Sequence, residues 1–179
     1  MPRLIFPTLA LALFPLAASA GMTLTSTDLT EGGTMPAAQV FNGFGCSGLN
    51  LSPSLEWSGA PDGTKSFILT AYDPDAPTGS GWWHWTVVNI PADAHALPEG
   101  ASPKALPAGA IEARTDFGDA GYGGACPPEG DKPHRYIFTL YAMPVEAVPL
   151  DAGASGAMVG YMANGGALEK ATLTVTYGR

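Results

Sequence analysis

Apolar, β-branched and aromatic residues gather in five runs separated by turn residues. Met22 to Thr27 alternates and is rich in threonine. Ser66 to Tyr72 (SFILTAY), His84 to Ile90 (HWTVVNI) and Arg135 to Ala142 (RYIFTLYA) are longer, and Thr172 to Tyr177 (TLTVTY) is the last. Such residues suit a pleated, half-buried surface, so each run is expected as a strand. One segment has helical spacing instead. Ser155 to Ala163 opens on a serine cap and places Met158, Val159 and Met162 on one side, and Gly165 and Gly166 are expected to end or bend it. Several strands without regular strand–helix alternation favour an antiparallel or mixed β architecture over a doubly wound one.

The first twenty residues read as a targeting signal rather than as part of the fold. Arg3 and the amino terminus supply a thin positive region, an apolar run follows from Leu4 to Leu16, and Ala18-Ser19-Ala20 has the small residues that signal peptidase accepts. The run is shorter than the roughly 20 residues a membrane helix needs. Cleavage after Ala20 is expected, leaving residues 21–179 as a single domain of 159 residues that is periplasmic or secreted and has no stable membrane anchor. An uncleaved anchor is the alternative.

Loss of Arg3 sets seven basic residues against sixteen acidic ones, a formal charge of −9. That balance argues against nucleic acid as a partner, since no basic stripe exists to neutralise phosphates. It argues equally against adsorption to anionic lipid. One local anion site remains compatible with it, because nearby donors outweigh distant, screened charge. The two cysteines, Cys46 and Cys126, are expected to form a disulfide in an exported protein. Closing a loop of that size is worth roughly 4 kcal/mol. Free thiols or half of a metal site are the rivals, and the wide spacing speaks against a metal.

Two long loops stand out, Asp73 to Trp83 (DPDAPTGSGWW) and Asp116 to Pro133, and loops of that length in compact domains tend to be functional. Asp73 and Asp75 sit in a turn stiffened by Pro74 and Pro77, where aspartates either bond turn amides or serve a site. His84 heads a strand among Trp82, Trp83 and Trp85. Alternation would place it with Thr86 on one face and Trp85 with Val87 on the other. It is either a site residue or a structural histidine paired with a carbonyl. His134 likewise heads a strand after a glycine-rich loop and shares a face with Tyr136. The segment Gly121-Tyr122-Gly123-Gly124-Ala125-Cys126 could present backbone amides to an anion, or simply be a surface loop. His95 reads as solvated surface. No serine lies in a nucleophile elbow, and no metal cluster or cofactor motif is visible.

The runs DPDAPTGSGWWHW, NIP and GYGGACPPEGDKPHRYIFTLYA, with LSPSLEWSGAPDGTKSF upstream, closely resemble the bacterial, Raf-kinase-inhibitor-like branch of the phosphatidylethanolamine-binding proteins. The resemblance is dense from Leu51 to Ala142 and looser from Met22 to Arg179. It implies a mainly β fold: a β-sandwich-like central sheet, a second smaller sheet and a few short peripheral helices. It also implies one pocket for phosphate esters, phosphorylethanolamine head groups or acetate. In that pocket Asp73, His84, His134 and Tyr136 match the family's ligand residues, and Trp82, Gly123 and Pro127 match positions lining its wall, while Asp75 looks structural. The region around Asn164-Gly165-Gly166 matches poorly. The short TGSG departs from the longer loop of eukaryotic members, so their protein partners do not transfer.

The function expected from these residues is therefore a binding protein for a small anionic ligand, without cofactor. The alternatives are an inhibitor or interaction protein acting on a hydrolase or other protein partner, and an enzyme acting on phosphoesters through the His/Asp set.

Overall fold

A computed structural model describes residues 21–179; the targeting signal expected at 1–20 lies outside the described residues. The elements run β1 (Thr23–Thr25), β2 (Asn42–Gly43), β3 (Cys46–Ser47), β4 (Leu55–Ser58), β5 (Ser66–Asp73), β6 (Trp82–Pro91), β7 (Ala96–Leu97), α1 (Ala101–Lys104), β8 (Ile111–Glu112), β9 (His134–Met143), α2 (Gly156–Gly166) and β10 (Glu169–Tyr177). A five-stranded sheet in the order β10-β9-β5-β6-β8, antiparallel at every pairing, forms the centre. A three-stranded sheet, β1-β4-β7, and the small β2-β3 hairpin complete the strands. Among the described residues the fold is thus mainly β, with a large sheet, smaller sheets and two short helices.

Both faces of the central sheet are covered, which is why β5 is buried along almost its whole length. On one face Phe67, Leu69, Ala71, Trp85, Val87, Phe138 and Leu140 pack with Leu24, Leu55 and Trp57 of the small sheet. On the other, Ile68, Val88, Tyr141 and Met143 pack against Val159 and Ala163 of α2. Ser155 caps α2 by accepting from the Met158 amide. The buried stripe of the helix is Gly156, Val159, Gly160 and Ala163. Met158, expected on that side, is instead exposed, because the two glycines let the helix lie directly on the Trp83 ring: a Cβ at Gly156 would overlap it. The helix includes Gly165 and Gly166 and ends there.

The β5–β6 register slips between Ala71 and Tyr72, which pair with Trp85 and Trp83. His84 is therefore the extra residue of a β-bulge, and a bulge re-aims a side chain. Its ring reaches the face carrying Trp85 and Tyr136, not the Thr86 face that strict alternation predicts.

Candidate functional site

β5, β6 and β9 lie side by side, so the ends bearing Asp73, Trp82 and His134 come together although 61 residues separate Asp73 from His134. A cavity of about 210 Å³ opens there. Asp73, His84, His134 and Tyr136 contribute its polar groups. Trp82, Phe44, Phe117, Pro77, Pro127 and Pro128 make its walls largely apolar. Its size suits a head group rather than a drug-sized ligand, for which pockets of roughly 300 Å³ and more are usual.

Asp73 is buried and fully engaged. Oδ1 accepts from the Asp75 and Ala76 amides at 2.8 and 3.1 Å, and Oδ2 accepts from His134 Nδ1 at 2.7 Å. The turn-bonding role and the histidine-orienting role thus coexist in one carboxylate. His84 also combines two readings, since Nδ1 donates to the Gly123 carbonyl at 2.8 Å while the ring lines the cavity. Burial pulls the His84 pKa below its ordinary 6.5, against the raising influence of the Gly123 carbonyl and the Asp73 charge. The ring is therefore neutral in the free protein at neutral pH.

With both Nδ1 atoms taken up, only Nε2 of each imidazole remains. A neutral ring offers a lone pair there, and donates only once protonated. The permanent neutral donors are elsewhere. Trp82 Nε1 and the Tyr136 hydroxyl, on two residues that line the cavity, are buried without a hydrogen-bond partner. Burial first, then the Asp73 charge, hold the Tyr136 phenol well above its ordinary pKa, so it keeps its proton. The nearby Cys126 amide can approach only the phenol oxygen and leaves the O–H without an acceptor. A buried unpaired donor is unusual and calls for an explanation.

Gly123 stands behind the cavity rather than in its wall. Its carbonyl orients His84, its amide donates to the His84 carbonyl, and a Cβ there would overlap the Phe117 ring. The glycine-rich segment does not present a row of free amides. Tyr122 N–H donates to Ser102 Oγ, Gly123 N–H to His84 O and Gly124 N–H to Asn50 Oδ1, because the loop is sewn to the body of the domain. Asp75 binds Arg135 through both carboxylate oxygens at 2.8 Å, which holds its carboxyl well below the usual range. His95 is exposed. No group of three or more His, Cys, Asp or Glu among the described residues is arranged to hold a metal ion.

Sequence reasoning missed the aromatic half of the wall. Phe117 stacks on Phe41 at 4.4 Å and meets Trp82 and His84 edge-on, with Phe44 beyond. The only available signal was a phenylalanine inside each of two glycine-rich loops, FNGFGCSG and DFGDAGYGG. The Cys46–Cys126 disulfide ties the loop bearing Phe44 to the one bearing Pro127.

Residues 25–178 match the phosphatidylethanolamine-binding protein family. The chain belongs to that family. It is 54% identical to the Escherichia coli protein YbcL over 164 residues, 90% of each chain, and 52% identical to E. coli YbhB over 87% of this chain and 99% of that one. The crystal structure of E. coli YbcL, described as a new member of the mammalian PEBP family, superposes with a TM-score of 0.88 over 89% of this chain and 99% of that chain. A Chlamydia trachomatis homologue of the family, CT736, is 30% identical with a TM-score of 0.74, covering 89% and 98%. A Mycobacterium tuberculosis relative described as a lipoprotein, LppC, is 36% identical over 79% of this chain and 65% of that one. Among the described residues no helix is long and apolar enough to cross a membrane.

Proposed function

We propose that the protein is an exported binding protein whose cavity takes the anionic group of a phosphate ester, phosphorylethanolamine or acetate. The observation that carries this reading is the pair of buried donors, Trp82 Nε1 and Tyr136 OH, left without partners beside the Asp73–His134 couple. An anionic oxygen supplies the missing acceptor, and charge-assisted bonds are the stronger class. The apolar walls strengthen such bonds by lowering the local dielectric. Kinship with phosphatidylethanolamine-binding proteins supports the same ligand class.

Because its Nδ1 is engaged and the ring is neutral, His84 meets an anion with an Nε2 lone pair unless a proton enters. That proton arrives either on an imidazole or on the ligand as a P–OH or COOH group. Affinity therefore rises as pH falls. Titration calorimetry with phosphorylethanolamine and with acetate, between pH 5.5 and 8.5, should show tightening toward acid and net proton uptake. Absent binding, or an affinity indifferent to pH, refutes the reading. Phosphomonoester and phosphodiester turnover measured on the same samples, and lost in His84→Ala and His134→Ala, would replace a binding role with an enzymatic one.

Export is supported by the disulfide and by the lipoprotein relative. Its test is the mass of the protein recovered from the cell envelope or medium, with a chain beginning at Gly21 expected.

A further inference from the structure

His134 is as deeply buried as Asp73 and Tyr136, and its two ring nitrogens have different neighbours. Nδ1 is closed off by Asp73 at 2.7 Å. Nε2, the one nitrogen left for a ligand, already has a carboxylate beside it: Asp131 Oδ2 lies 3.5 Å away. That distance is longer than a formed hydrogen bond, and the Asp131 side chain is 45% exposed. The contact is therefore a charge held near the imidazole, not a bond that completes it.

The chain is built to keep Asp131 there. Gly130 adopts φ 84°, a left-handed conformation suited to glycine, and turns the loop back. The Asp131 amide donates to the Pro128 carbonyl, and the Gly130 amide donates to the Arg179 carbonyl. The Arg179 side chain in turn grips the cavity's outer wall, with Nε donating to Pro127 O at 2.7 Å and Nη2 to Phe44 O at 3.2 Å. The Asp131 carboxylate itself makes no hydrogen bond among the described residues, whereas Asp73 and Asp75 are saturated. It is fixed by its backbone and free at its head.

We propose that Asp131 is an internal competitor of the bound anion: its carboxylate stands by the His134 nitrogen that a ligand oxygen must approach, and so sets the pocket's selectivity against highly charged ligands. This inference rests on the anion reading above and deepens it. A ligand oxygen seated near Nε2 comes within a few ångströms of Asp131 and must either push it toward solvent, which its exposure permits, or bear its repulsion. The repulsion grows with ligand charge, so a dianionic phosphate is penalised about twice as much as a carboxylate. Asp131 thereby favours monoanions, including the half-protonated phosphate ester that also brings a proton toward the neutral His84 ring.

The deciding experiment compares Asp131→Asn with the wild type and with Glu129→Gln. The Glu129 variant removes the same charge from the same loop at an exposed position without touching His134. Calorimetry with acetate and with inorganic phosphate at pH 8, where phosphate is mostly dianionic, is the readout. Asp131→Asn should bind acetate roughly fivefold more tightly, within the range of partly exposed charge pairs, and phosphate more tightly again by a larger factor. Glu129→Gln should change neither by more than about twofold. Because the expected effect is a gain, misfolding cannot mimic it. Equal affinities of Asp131→Asn and wild type for both probes overturn the proposal while leaving the anion reading standing. Binding by neither protein overturns both. Gains of equal size in Asp131→Asn and Glu129→Gln reduce the effect to net charge and also overturn it.

Discussion

Tyr136→Phe should make the free protein more stable and the ligand weaker, an opposition of signs that follows from a single atom. Tyr136 is 2% exposed and its hydroxyl has no hydrogen-bond partner. A buried polar group left unpaired carries a desolvation cost of about 1–3 kcal/mol. Deleting the oxygen leaves the ring in place against His84, 5.0 Å centre to centre, so little packing is lost. Taking the low end, because the Cys126 amide lies near the phenol oxygen, the free protein should gain about 1 kcal/mol, or roughly 2–4 °C in Tm for a chain of this size. The complex loses one donor to a charged oxygen, about 1.5 kcal/mol, so Kd should rise about tenfold. Tyr122→Phe is the contrast. That hydroxyl donates to the Gln39 carbonyl at 2.8 Å in the core, and removing it strands a buried acceptor. It should destabilise by about 1 kcal/mol and leave the Kd alone. Scanning calorimetry and titration calorimetry on both variants provide the measurement. If Tyr136→Phe is destabilised as Tyr122→Phe is, and still binds phosphorylethanolamine with wild-type affinity, the unpaired donor is not held for a ligand.

Three further outcomes follow from the same geometry. Burial lowers the His84 pKa, so the unfolded chain binds a proton near its ordinary 6.5 that the folded chain does not. Stability is then level above about pH 6.5 and falls as pH drops below it, and this slope should flatten in His84→Gln; denaturant midpoints across pH 5 to 8 check the sign. Gly156→Ala should destabilise by about 2 kcal/mol despite the roughly 1 kcal/mol of helix propensity that alanine brings, because its Cβ overlaps the Trp83 ring; a stabilised variant in urea melts would show that α2 is not seated on that ring. Replacing both Cys46 and Cys126 by alanine opens a loop spanning a sequence separation of 80 and should cost about 4 kcal/mol, read as a lowered guanidinium midpoint.

Much of this molecule is local enough to read from the order of its residues. The five β-favouring runs appear as β1, β5, β6, β9 and β10 within a few residues, because apolar, branched and aromatic side chains suit a strand whether it buries one face, as β1 does, or both, as β5 does. The serine cap of α2 is equally local. Short strands such as β2, β3, β7 and β8, each two residues long, left no such trace, since two residues are too few to show a pattern and β7 and β8 pair with strands distant in the chain. The cavity divides along the same line. Asp73, His84, His134, Tyr136 and Trp82 were legible as unusual residues at strand ends and as a family pattern, and adjacency of β5, β6 and β9 brings them together. Three features belonged to the tertiary structure alone. The bulge at His84 turns its ring to the face that alternation denies it. The packing of Phe117 and Phe44 draws two loops into an aromatic wall. The fold back of the loop at Gly130 sets Asp131 beside His134. Each depends on a register or a distance between segments, and residue type along a chain encodes neither.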